Sequence, residues 1–417
     1  MQGASTANSA STVATERPGQ VPARLRYAAA CETAWHAVLL LSVNPVLSRM
    51  MPPTGSEASL TLAAGVLATV HWGLWRNLRH NHPPSGTEIR PHLGIANRLT
   101  LIRGLLIALL AGCLPAAVEN HHFSASRWAW IAGILYLTAA ILDALDGYCA
   151  RRTGSESRLG QMMDVRTDAL GLLTASTLAV TAGRLPVYYL SVGLAYYVYR
   201  FGLWLRRKSG KPVLPQGPRA FARWIAGLQM GLAGVALLPV FDAEALQTAA
   251  PCFVLPLLMG FVWDWSVVRG RISGDEARFY QQAIADSAAR VTPVLRGMML
   301  LTGLACAWNL RSIQMTGTSW LALLLILMVV TGFLGRTAGF LLSLLLANAA
   351  SEVGTSPLLK AALAGAVVIM IAGTGRWSLW RPEDTVIYRN SAGRSRHDEC
   401  KEQAILPEPG SPRLPRR

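Results

Sequence analysis

No two of the six cysteines, Cys31, Cys113, Cys149, Cys252, Cys306 and Cys400, have C-x-x-C spacing, and four lie in or beside apolar runs. Neither a disulfide framework nor a zinc site is indicated. Acidic residues are scarce, 23 against 39 lysines and arginines. Such an excess can mark a nucleic-acid binder. Here the basic residues sit in short loops between apolar runs and not along one amphipathic face, so no nucleic-acid partner is expected. A cleavable signal is missing too. The opening segment, rich in Ala, Ser and Thr and carrying Arg17, Arg24 and Arg26, is not followed by a short apolar core with a small-residue cleavage site. Residues 1–29 read as a disordered cytoplasmic tail.

What is present is apolar: 52% of the 417 residues are hydrophobic and the mean hydropathy is positive. That composition is far from a soluble globule and predicts an all-α polytopic membrane protein. At about 20 apolar residues per crossing, helices fall near 30–50, 58–75, 97–118, 127–149, 160–182, 185–206, 219–240 and 247–268. A polar, mixed-charge linker at 269–290 precedes four shorter candidates near 291–310, 319–334, 338–352 and 357–375. The division is then two extra N-terminal helices with their loop (30–90), a six-helix core (91–268), the linker, a C-terminal four-helix block (291–380) and a disordered cytoplasmic tail (381–417). Lysine and arginine favour alternate loops: 76–98, 151–158, 205–211 and 269–290 are basic, whereas PPTGSE, ENHHFSAS and FDAEALQ are not. By the positive-inside rule both termini and the loop 151–158 face the cytoplasm.

Against this background the stretch LDALDGYCARRTGSESRLGQMMDVRTD, 142–168, is anomalous. It reads D-x2-D-G-x2-A-R-x8-G-x3-D-x3-D. Asp143, Asp146, Gly147 and Ala150 share one helical face, and Gly160, Asp164 and Asp168 form a stripe on the next helix. A connection of about nine residues makes the two helices antiparallel neighbours, so four carboxylates face one another. Each ionised aspartate at membrane depth costs about 2.5–3.5 kcal/mol, and divalent cations between them would relieve that cost. Oxygen donors favour Mg²⁺ or Mn²⁺, and four carboxylates balance two such ions, as phosphoryl-type displacement uses. Gly147 and Gly160 leave space for a nucleotide, and Arg151 can pair with a phosphate. The bland alternative is interhelical salt bridges with Arg151, Arg152 or Arg166.

At every defining position from Asp143 to Asp168 this stretch resembles the signature of the CDP-alcohol phosphatidyltransferases, and IANRLTLIR at 95–103 resembles that family's N-x-L-T-x-x-R start of its first core helix. The resemblance covers about 91–268 and implies a six-helix core with its site at the cytoplasmic end. It implies Asp143, Asp146, Asp164 and Asp168 as metal ligands, with Asp168 also the base for the acceptor hydroxyl. Gly147, Ala150, Arg151 and Gly160, with Asn97, Thr100 and Arg103, would contact the CDP moiety. The implied reaction is attack by an alcohol on the β-phosphorus of a CDP-linked lipid such as CDP-diacylglycerol, releasing CMP in phospholipid biosynthesis. The implied partners are that donor, a small hydroxyl acceptor and the membrane lipids, with a homodimer left open. Arg200, Arg219 and Arg223 are candidates to clamp a phosphorylated acceptor. PQGPRAFARWIAGLQ lacks the G-K-x-x-T-like stretch of glycerophosphate-using relatives.

AGTGRWSLW near the end of the C-terminal block is similar to a segment of DoxX-like four-helix membrane proteins; the block itself has no acidic cluster or histidine to carry chemistry. His121 and His122 read as solvated, Asp264 as a partner of Arg269 or Arg271, and Tyr188, Tyr189, Trp320 and Trp377 as interfacial belts. The rival function is a cation-coupled transporter using the same aspartates. It should show repeats or broken helices, and no convincing internal repeat is found. A catalytically silent scaffold should lack a metal ligand, and none is missing.

Overall fold

The computed structural model describes residues 21–50, 55–119, 123, 126–214, 220–272, 290–301, 317–353, 357–375 and 378–380. Among them the chain is all-α. The helices are α1 (Ala23–Met50), α2 (Gly55–Asn77), α3 (Ile95–Gly112), α4 (Leu114–Glu119), α5 (Arg127–Thr153), α6 (Arg158–Thr181), α7 (Leu190–Lys208), α8 (Ala220–Leu237), α9 (Ala243–Val268), α10 (290–301), α11 (Gly317–Thr331), α12 (Gly335–Val353) and α13 (Pro357–Ala372). By length and composition four are apolar enough to cross a membrane: Glu57–His80, Ile95–Glu119, Arg127–Ala150 and Ala243–Val268. The protein is an integral membrane protein.

Three sequence boundaries shift for local reasons. α1 starts at Ala23, inside the expected tail, because Leu25 and Ala29 are buried against Leu74 and Leu78. The helix expected over 97–118 breaks at Cys113, where Pro115 has no N–H to continue the ladder. The helix expected from 185 starts at 190, after Pro186 and a 3₁₀ turn over Val187–Tyr189. That turn buries Tyr189 completely, its hydroxyl 3.1 Å from Gln229 Oε1, so Tyr189 is a core residue and not part of an interfacial belt. His121, His122, Trp377, the linker over 273–289 and the tail from 381 lie outside the described residues.

The chain forms two compact units, Met1–Gly112 with Thr138–Leu170, and Cys113–Leu137 with Gly171–Arg417. In the first, Gly104, Ala108 and Gly112 place a small-residue stripe of α3 against α2, the close approach that drives helix packing in lipid. A Cβ at Gly104 would stand 2.7 Å from Val70 Cγ1. α1 joins through a polar clamp. Thr33 spends its hydroxyl proton on Ala29 O (2.8 Å) and so accepts from His71 Nδ1 (3.0 Å) and Trp75 Nε1 (3.2 Å). His71 Nε2 also lies 3.1 Å from His36 Nδ1, extending the clamp to a second position on α1. Glu32 pairs with Arg98 of α3 at 3.1 Å.

In the second unit, buried arginines close helix C-termini, where the last carbonyls lack partners. Arg184 donates to Ala236 O (3.0 Å), Leu238 O (3.1 Å) and Phe241 O beyond α8. Arg336 donates to Ile371 O and to Ala372 O (3.1 Å) at the end of α13. α9 meets α12 through Phe253 and Phe340, whose rings are T-shaped at 5.6 Å. Trp224 Nε1 of α8 donates to Met370 O of α13 at 2.8 Å.

Candidate functional site

The site is built in the first unit by one face each of α3, α5 and α6. α5 continues through Thr153 and stops at Gly154, whose φ of +60° is the left-handed conformation glycine adopts without penalty. Ser155 N–H donates to Ala150 O at 3.1 Å, the closing bond of a Schellman end. Three residues later Ser157 caps α6, its hydroxyl accepting from Gly160 N–H at 3.0 Å. The connection is therefore 154–157, a capped four-residue turn, and not the nine residues expected. The helices are antiparallel neighbours as expected, and their aspartates meet.

Ligand oxygens of Asp143, Asp164 and Asp168 lie within 4.8 Å of one another. Asp146, 6% exposed, stands beside this trio with its Oδ2 3.0 Å from the Thr100 hydroxyl. The group that binds all four is Arg103. Its Nη1 lies 2.8 Å from Asp143 Oδ1, 3.0 Å from Asp146 Oδ2 and 2.9 Å from Asp164 Oδ1, and its Nη2 donates to Asp168. The salt-bridge reading names Arg151, Arg152 or Arg166; among the described side chains the cation paired with the aspartates is Arg103 of α3. Arg152 donates to Tyr148 Oη at 2.6 Å.

Asn97, Thr100 and Arg103 are all buried and form the polar face of α3. Arg103, expected as a CDP contact, is bonded to the carboxylates. Asn97 Nδ2 donates to Asn81 Oδ1 (3.3 Å) and to Ser157 Oγ (3.4 Å), so it braces the start of α6. A Cβ at Gly160 would stand 2.5 Å from Asn97 Oδ1. The space cleared by this glycine is taken by a protein side chain. Gly147 and Ala150 are half-buried on α5. The side chains of Arg151 and Arg223, and all of Arg219, lie outside the described residues; Arg200 is exposed on α7 of the second unit. Sequence reading missed Ser157 and the central position of Arg103. The signal for Ser157 was a serine three residues before Gly160 at a helix start; nothing local signals Arg103's partners.

Three carboxylates within ligand distance and a fourth alongside form an all-oxygen, strongly anionic donor set, which fits a hard divalent cation. Residues 93–262 match the model of the family described as CDP-alcohol phosphatidyltransferase. A similar protein is the CDP-diacylglycerol-inositol 3-phosphatidyltransferase of Drosophila melanogaster, 37% identical over 76 residues, 18% of this chain. The match spans 27% of that relative's length. No solved structure matches the chain.

Proposed function

On the premise that this chain carries a CDP-alcohol phosphatidyltransferase domain at residues 93–262, we propose that it is a membrane enzyme moving a phosphatidyl-type group from a CDP-alcohol to a hydroxyl acceptor, with release of CMP. The observation that carries this reading is the convergence of Asp143, Asp146, Asp164 and Asp168 on one point. CDP-diacylglycerol is the donor and inositol the first acceptor to test, since the similar fly protein is named for both.

Asp143, Asp146, Asp164 and Asp168 would hold the metal, Mg²⁺ or Mn²⁺, and two such ions would balance their charge. The bound ions supply neutralisation of the pyrophosphate and of departing CMP. Asp168 also takes the acceptor's hydroxyl proton as its oxygen bonds to the β-phosphorus; the bond from that phosphorus to CMP breaks, and CMP leaves with the electron pair. Gly147, Ala150 and Arg151 contact the nucleotide. Gly160, Asn97 and Thr100 shape its site by holding α3 against α5 and α6. Arg200, Arg219 and Arg223 remain acceptor candidates on their charge alone. The site faces the cytoplasm, from the alternation of basic loops; 91–268 is the catalytic domain, with 30–90 and 291–380 as membrane-embedded flanks joined through the linker 269–290.

The test is incubation of membranes holding the protein with labelled CDP-diacylglycerol, Mg²⁺ or Mn²⁺ and a panel of alcohols that includes inositol, inositol phosphate and glycerol phosphate. Metal-dependent CMP release matched by one new phospholipid is expected. No CMP release from any CDP-alcohol by well-folded protein would overturn the proposal.

A further inference from the structure

Arg103 stands at the centre of the four carboxylates. Its Nη1 lies within 3.0 Å of oxygens from Asp143, Asp146 and Asp164, and its Nη2 reaches Asp168. A divalent ion held between Asp143 and Asp164 would need the volume that this nitrogen occupies. Guanidinium and ion are both cations and cannot share it. Arg103 is also an incomplete plug. Its side chain is 3% exposed, yet Nε has no hydrogen-bond partner among the described residues. One guanidinium against four carboxylates leaves a formal charge of −3 (1 − 4), a deficit that divalent cations relieve and Arg103 cannot.

Resting on the metal-centred reading above, we infer that Arg103 is an exchangeable occupant of the ion site. In the ion-free protein it holds the aspartates of α5 and α6 together. Ion binding displaces it, and the freed guanidinium, buried and in need of an anion, takes a phosphate of the bound nucleotide as its new partner. Arginine suits both posts because its fork of donors matches carboxylate and phosphate alike. The site is thereby held assembled before the ions arrive, and the guanidinium is delivered to the nucleotide only after they have bound.

The experiment is Mn²⁺ binding to purified full-length protein in detergent, counted by electron paramagnetic resonance, together with thermal unfolding and CDP binding. Arg103→Met, neutral and of similar reach, is expected to bind Mn²⁺ about tenfold or more tightly than the wild type, the scale on which one neighbouring charge moves the proton affinity of a carboxylate. Its ion-free form should unfold at lower temperature and recover with Mn²⁺, and at saturating Mn²⁺ it should bind CDP more weakly. A folded Arg103→Met with unchanged or weaker Mn²⁺ affinity overturns the exchange and makes Arg103 fixed scaffold. Unchanged CDP binding overturns the second post. Where Arg103→Met does not fold, Arg103→Lys serves, since one ammonium cannot bridge four carboxylates; the same signs are expected with smaller shifts, and their absence overturns the inference. Failure of the underlying reading looks different: the wild type then binds no Mn²⁺, or Asp143→Asn binds it as well as the wild type does.

Discussion

Asp143, Asp146 and Asp164 come from two helices and differ in exposure, yet all three reach the same guanidinium nitrogen. Replacing any one by asparagine removes an anion from a shared centre, and CMP release should fall about 100-fold or more, the usual cost of losing one electrostatic group at a reacting centre. Full turnover by any of the three in the presence of a chelator would end the metal reading. On the proposed mechanism Asp168→Asn should keep nucleotide binding better than transfer, because it would lose the base while three ligands stay. Gly160 makes a different demand. With Asn97 Oδ1 2.5 Å from where a Cβ would go, Gly160→Ala forces an overpacked contact, and a loss of about 1–3 kcal/mol is expected. Asn97→Ala in the same chain should return part of it, as a double-mutant cycle of thermal unfolding would read. The aspartates were legible in the sequence because their spacing puts them on helical faces. Arg103's partners were not, since they begin 40 residues later (143 − 103) and no local pattern couples α3 to α5.

At the scale of elements, the site depends on where α5 stops and α6 starts. Both signals were in the sequence as Gly154 and Ser157, but a glycine or serine among polar residues does not announce which helix end it closes. The longer connection expected there came from ending α5 with its apolar run, whereas the helix continues through Arg152 and Thr153 to its glycine. Ser157 is 3% exposed and bonds both Gly160 N–H and Asn97. Ser157→Ala should cost about 1–2 kcal/mol, the upper range for a lost cap, and should weaken Mn²⁺ binding by misplacing Asp164 and Asp168. An unchanged unfolding temperature would show that the turn holds without its cap. The His36, His71 and Thr33 clamp had no sequence signal, because a lone histidine in an apolar helix reads the same paired or unpaired.

For the whole molecule, apolar runs made the all-α membrane architecture legible, while the packing neighbours of the matched region were not. α3 lies inside residues 93–262, yet its small-residue face is covered by α2, outside them. α8 and most of α9 likewise lie inside that region and pack on α12 and α13, outside it. Those choices are made by surface shape, which hydropathy does not encode. α6 and α7 fall short of an apolar span because of the charges they carry: Asp164, Arg166 and Asp168 in the first, Arg200, Arg206, Arg207 and Lys208 in the second. Topology is testable at the turn itself. A cysteine at Ser155, in an active variant lacking the six native cysteines, should react with an impermeant thiol reagent only after the inner face is opened; labelling of intact cells from outside would invert the topology.

The ion cluster around Arg103 also sets a schedule for biosynthesis. Chains are made N-terminus first, at about 5–20 residues per second, so α3 with its cation is synthesised several seconds before Asp143 is. An arginine at the centre of a lone membrane helix costs about 2.5–3.5 kcal/mol on insertion scales. α3 therefore enters the lipid poorly by itself and waits beside α2 until α5 and α6 bring its counter-charges. Nascent chains arrested before residue 143 should show incomplete integration of α3 by glycosylation mapping, and chains arrested after α6 complete integration. Full integration of α3 in the shorter chains would mean that α1 and α2 suffice to shelter the charge.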